Sequence, residues 1–213
     1  MEFVKGARAA EAAMRAVFPA TPLLRNDLLS DRYGADIWRM REDLSPGRAY
    51  QLRGAVNAMR KAQAAGYVCA SAGNHAQGAA FMCKQFGVHG GVFMPVTTPQ
   101  QKIMKTRMFG GAHVEVRLVG DYFDDTLAAA QAYCADEGAH FLSPFDDEDV
   151  IEGQASVGVE IAQQLGGDPD HIIVPVGGGG LSSGLRSYFG DPVRMPFVAP
   201  PGAPSLAYAL QHG

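Results

Sequence analysis

Apolar residues at helical spacing alternate along this chain with short apolar runs that end in glycine. Met1 to Phe18 interleaves alanine with glutamate and arginine, which predicts an amphipathic first helix. Gly54 to Ala65 sets Ala55, Met59 and Ala62 on one helical face. Tyr67 to Ala72 is a short strand ending at Gly73-Asn74-His75, and the helix that follows stops at Phe86-Gly87. Gly91 to Met94 reads as a buried strand. Thr98 as cap and Pro99 at the first helical position open the next helix, closed by Gly110-Gly111. His113 to Val119 alternates Val114, Val116 and Leu118 with polar residues, a half-exposed strand. Asp121 is expected to cap a helix to about Glu137, and His140 to Leu142 is strand. A helix from about Asp149 to Leu165 carries Val157, Ile161 and Leu165 on one face. His171 to Val176 has the strongest strand pattern and runs into four consecutive glycines. A helix at 181–189, a weak strand at Phe197-Val198 and an Ala/Leu tail follow. Such alternation of strand and helix predicts an α/β fold with a largely parallel sheet.

The 213 residues fit one or two domains. A hydrophobic content of 47% suffices for a sizeable core and excludes global disorder. With 18 Lys+Arg against 22 Asp+Glu the chain has no basic footprint for nucleic acid. No run of about 18 apolar residues exists to span a membrane. The three cysteines, Cys69, Cys83 and Cys134, are far apart and form no C-x-x-C, so neither a disulfide framework nor a metal site is expected. The N-terminus lacks the unbroken apolar core of a signal peptide, and the expected compartment is the cytoplasm.

Two glycine-bearing turns carry the chemistry. In Val176-Gly177-Gly178-Gly179-Gly180-Leu181-Ser182-Ser183-Gly184 a strand ends in glycines and opens a helix. Backbone N–H groups there approach an anion that the helix N-terminus stabilises, and a phosphate monoester fits. Ser182 and Ser183 stand where a dinucleotide fingerprint needs its third glycine, and the Gly-Lys-Ser/Thr ending of a nucleoside-triphosphate loop is missing. Ser71-Ala72-Gly73-Asn74-His75 repeats the strand-end, helix-start arrangement as a second anion cradle, suited to a carboxylate.

Together with Arg41 to Ala55, these segments resemble the biosynthetic threonine ammonia-lyases (threonine dehydratases), fold-type-II enzymes dependent on pyridoxal 5′-phosphate (PLP). The similarity extends to Thr21-Pro22-Leu23, Arg25-Asn26-Asp27, Phe93-Met94-Pro95, Gln101-Lys102, Gly120-Asp121, Pro144-Phe145-Asp146-Asp147 and Gly153-Gln154. It implies an α/β, tryptophan-synthase-β-like architecture. A large PLP-binding domain would take residues 1–51 plus 145–213, and a small domain residues 52–144. Gly177, Gly178, Gly179, Gly180 and Leu181 would hold the cofactor phosphate, Tyr50 would flank the ring and Asn74 would bond its 3-oxygen. Ser71, Ala72, Gly73, Asn74 and His75 would hold the carboxylate of a small hydroxy amino acid. The implied reaction converts L-threonine to 2-oxobutanoate and ammonia, a step of isoleucine biosynthesis.

The pattern also breaks. The lysine that bonds the cofactor and removes the α-proton falls at Gln51, whose amide does neither. Ala49 stands for a serine, Ala199 for a glutamate and Ala155 for a glycine. Lys61, Lys84, Lys102 and Lys105 read as solvated helix charges. The family's later strand, and with it part of the large domain, would lie beyond Gly213, so the chain is expected to pair with itself or with another chain. Three readings follow: a lyase by descent that has lost catalysis and holds PLP non-covalently if at all, a half-enzyme completed by a partner chain, and a non-catalytic interaction protein.

Overall fold

The computed structural model describes residues 2–200 together with Gly202, Tyr208 and His212, so most of the Ala/Leu tail lies outside the described residues. A parallel sheet in the order β5-β4-β3-β6 is built from β3 (Gly66–Ala70), β4 (His89–Met94), β5 (Val114–Leu118) and β6 (His140–Phe141). Helices α4 (Asn74–Phe86), α5 (Gln100–Gly110) and α6 (Phe123–Glu137) make the crossovers that parallel neighbours require. One face of the sheet, with Cys69, Val92 and Met94, packs on Ala79 and Met82 of α4. The other, with Val68, Ala70 and Phe93, packs on Ala130 and Cys134 of α6. Burial on both faces is why β3 reads as an unbroken apolar run, while the edge strand β5 alternates.

The second layer is organised around α7 (Glu148–Leu165), against which α1 (Glu2–Met14), α3 (Gln51–Ala62) and α8 (Gly180–Phe189) pack. Burial on this helix extends beyond the face of Val157, Ile161 and Leu165: Glu152 through Ile161 are all buried. Glycines let the neighbours close in. A Cβ at Gly153 would lie 2.5 Å from the Arg53 carbonyl oxygen, and one at Gly184 would lie 2.7 Å from that of Ile151.

Where α3 meets α7, Arg53 is fully buried. Its Nε donates to Glu42, one terminal nitrogen to Ser156 and Glu160, and the other to Thr21, Glu42 and Glu160, all at 2.8–3.1 Å. Burial alone would lower its pKa; the hydrogen bonds to Glu160 and Glu42 outweigh that and raise it. Arg15 also pairs with Glu160.

Several boundaries moved. The chain between α1 and α3 holds β1 (Leu23–Arg25), α2 (Asp27–Tyr33) and β2 (Trp38–Met40), with β1 and β2 antiparallel. Strands of three residues are too short for periodicity to register. Thr98 is not a cap: Pro99 holds the N-cap position of α5 and no side chain bonds there. Asp121 likewise gives way to Tyr122 at the head of α6, whereas Asp147 caps α7 by accepting from the Asp149 and Val150 amides. Of the strand expected at 171–176, only β7 (Val174–Pro175) is regular, paired in parallel with β8 (Phe197–Val198). Even so, Ile172, Val174 and Val176 all donate to carbonyls of the 194–198 segment.

Candidate functional site

Beyond β7 the chain passes through Val176 into the four glycines and α8. Gly179 is the N-cap with φ 95°, a left-handed conformation that suits glycine, and no side chain caps the helix. Ser183 is the first amide to bond back, to Gly179 at 2.8 Å. The amides of Gly180, Leu181 and Ser182 therefore lack an intrahelical acceptor, at the positive end of the helix. A Cβ at Gly178 would meet the Phe145 ring at 2.6 Å, and one at Gly180 would meet Gln154 Oε1 at 2.6 Å, so side chains there would fill the cradle's walls. Gln154 is 1% exposed; its Nε2 donates to the Pro144 carbonyl and its Oε1 has no partner. Tyr50 packs in the same apolar cluster as Val176 and Leu181, and burial pushes its phenol pKa up.

The second turn lies at the carboxyl end of β3. The Ser71 amide donates to Phe93 at 3.1 Å, extending the sheet, and Ser71 Oγ accepts from the Gly73 amide at 3.1 Å. Gly73 is the N-cap of α4 with no capping side chain, so the helix opens with free N–H groups. Asn74 is exposed and Ala72 half-buried. His75 is buried, and its Nε2 lies 3.1 Å from the Leu142 carbonyl. Since a carbonyl only accepts, Nε2 carries the proton and Nδ1 is left an acceptor without a partner. Burial lowers its pKa from 6.5, against the opposing influence of the Leu142 carbonyl and Asp147, so the ring is neutral at pH 7. What this turn offers an anion is backbone N–H groups, not an imidazolium.

Gln51 opens α3, whose backbone packs against α4. A Cβ at Gly78 of α4 would lie 3.1 Å from Leu52 Cα and 3.4 Å from the Gln51 carbonyl carbon. One helical turn on, Gly54 stands against Gln154 Nε2, whose Oε1 floors the glycine cradle. Gln51 Oε1 is buried without a partner. None of the lysines replaces it: Lys5, Lys84, Lys102 and Lys105 are exposed. Lys61 is held charged by Asp149 and Glu152, whose hydrogen bonds overcome the effect of desolvation and raise its pKa.

Gln154 is the residue that reading for motifs undervalued. Its signal was legible: it lies at helical spacing between Val150 and Val157, a polar side chain inside an apolar stripe. A cavity of about 620 Å³ sits instead at the amino-terminal edge of the sheet, lined by Gly66, His89, His113, Glu115 and Glu137, and holds none of the residues expected at the site. Among the described residues no cluster of His, Cys, Asp or Glu could hold a metal ion, and no helix is long and apolar enough to cross a membrane.

Comparison with known proteins bears on family and fold. The family model described as "Pyridoxal-phosphate dependent enzyme" matches residues 16–213. The biosynthetic L-threonine dehydratase of Bacillus subtilis is 45% identical over 192 residues, covering 87% of this chain and 46% of that protein. Its counterpart from Corynebacterium glutamicum is 41% identical over 214 residues, covering 96% of this chain and 49% of that protein. The processed form of threonine deaminase isoform 2 from Solanum lycopersicum superposes with a TM-score of 0.87 at 35% identity, over 100% of this chain and 59% of that one. The chain thus spans about half the length of the curated relatives it matches.

Proposed function

The chain belongs to the pyridoxal-phosphate dependent enzyme family, and on that premise we propose that it is a threonine-dehydratase-like, cofactor-binding chain whose lyase activity is lost or severely reduced. Its α/β architecture is that of fold type II, and the cofactor the family implies is PLP. The residues present suit the phosphate end of that group. The cradle is walled by glycines that a Cβ would block, it is lined by unbonded helix-terminal amides, and it has a buried, unpartnered Gln154 Oε1 at its floor. They do not suit its covalent end, where Gln51 offers an amide.

In this reading Gly177 to Leu181 hold the phosphate, Tyr50 flanks the ring and Asn74 bonds its 3-oxygen. Backbone N–H groups of Ser71 to His75 orient the carboxylate of a small hydroxy amino acid such as threonine. Residues 1–51 and 145–213 form the cofactor domain and 52–144 the small domain, in a cytoplasmic protein. When bound, the ring system stores the charge left by a departing α-proton. Gln51 neither bonds the cofactor nor accepts that proton, because an amide nitrogen is neither nucleophilic nor basic. The observation that carries the reading is a glycine turn opening α8 with no side-chain cap, together with an amide side chain at position 51.

Titration with PLP tests it. Saturable binding should stabilise the fold by about 2.7 kcal/mol at a hundredfold excess over Kd. Borohydride should fix no adduct at residue 51, and L-threonine should yield no 2-oxobutanoate. Gln51→Lys should gain a visible absorption band with PLP. Turnover by the unmodified chain would refute the loss of activity, and failure of both PLP and inorganic phosphate to stabilise it would refute the cradle.

A further inference from the structure

Gln51 Oε1 is a hydrogen-bond acceptor buried without a partner, on the first turn of α3. Gln154 Oε1, in a side chain 1% exposed, is another, set against Gly180 at the floor of the glycine cradle. Buried acceptors left unpaired are a standing cost that a ligand donor relieves. We propose that Gln51 makes this site selective for the amine form of the cofactor, a phosphorylated pyridine bearing a protonated amine, over the aldehyde form. The proposal rests on Gly177 to Leu181 holding the phosphate.

In this cofactor the carbon carrying the phosphate arm is bonded to the ring carbon that carries the aldehyde or amine. A ligand with its phosphate in the cradle therefore presents that group close by. Gln51 is one turn of α3 from Gly54, which touches the same Gln154 side chain that floors the cradle. An aldehyde oxygen meeting Gln51 Oε1 sets acceptor against acceptor. An ammonium supplies both hydrogen and charge, and hydrogen bonds with an ionised partner are the stronger kind. Where a lysine amine would make the aldehyde the ligand of choice by bonding it, Gln51 meets an aldehyde only as a neutral donor, by turning its Nε2 towards it, a weaker contact than its carbonyl makes with an ammonium.

The test is calorimetric titration of the full chain with pyridoxamine 5′-phosphate and with 4-deoxypyridoxine 5′-phosphate, which share ring and phosphate but carry an aminomethyl or a methyl group at the same carbon. PLP serves as a third ligand. The amine should bind about tenfold or more tightly than either other ligand, as one charge-assisted hydrogen bond allows. Gln51→Met should bring amine and methyl analogue to within about twofold of each other. Gln51→Glu should widen the gap instead, which keeps the test open if the methionine variant fails to fold. Equal affinities in the unmodified chain, or an undiminished preference in Gln51→Met, would overturn the selectivity while leaving the cradle standing. If none of the ligands nor inorganic phosphate binds, the cradle itself is wrong and the selectivity falls with it.

Discussion

Arg53 and Glu160 are both nearly inaccessible to water, and each is compensated in large part by the other. Replacing Arg53 with methionine leaves Glu160 and Glu42 facing each other without their shared cation. Such a break costs about 3–5 kcal/mol, which urea unfolding would register as a lower midpoint. The same pair sets the acid limit of the fold. Burial alone would raise the pKa of Glu160, but the hydrogen bond and charge of Arg53, the charge of Arg15 and the Thr21 amide hold it below its ordinary 4.5. A depressed folded-state pKa gives stability that is complete above 4.5 and is lost as pH falls through the lowered value. The unmodified chain should therefore weaken below that point, and Arg53→Met should show a shallower decline.

Among the elements, α7 is the one on which the others converge, and its glycines fix how closely they come. A Cβ at Gly153 would press on the Arg53 carbonyl oxygen at 2.5 Å and on Gly54 Cα at 2.8 Å, both backbone atoms that cannot swing aside. Gly153→Ala should cost about 1–3 kcal/mol by forcing α3 from α7. Gly167→Ala, with nothing within 4 Å, should stay within about 0.5 kcal/mol of the parent. The long elements here were legible because periodicity accumulates over their length: α4, α6 and α7 start and stop within a few residues of expectation. The segment from Leu23 to Met40 was not, although α2 carries its own punctuation in the Asn26 cap and the left-handed Gly34.

On the scale of the whole molecule, the three cysteines report on cooperativity. All are buried and free. Burial pushes the Cys69 thiol up strongly, with Cys83 nearby adding to it, and drives Cys83 itself up to about 12. Because only thiolates react, a disulfide reagent should find no reactive thiol in the native chain and all three on unfolding. Their exposure should follow the same denaturant midpoint as the loss of helix. One cysteine reacting early would mark a part that opens on its own.

Much of the candidate site could be read along the chain, because its parts are local: a strand that ends, a glycine that turns, a helix that opens with unbonded amides. Those rules operate within about ten residues and do not depend on what packs nearby. The parallel layering followed from the same alternation. Tertiary packing decided what no local rule reaches. It buried His75, which lowers the pKa of the ring, and it set Gln154, one polar residue in an apolar stripe, against Gly180. It also left the Gln51 carbonyl buried without a donor. Burial and hydrogen-bond satisfaction belong to pairs of atoms distant in sequence, and only folding brings those pairs together.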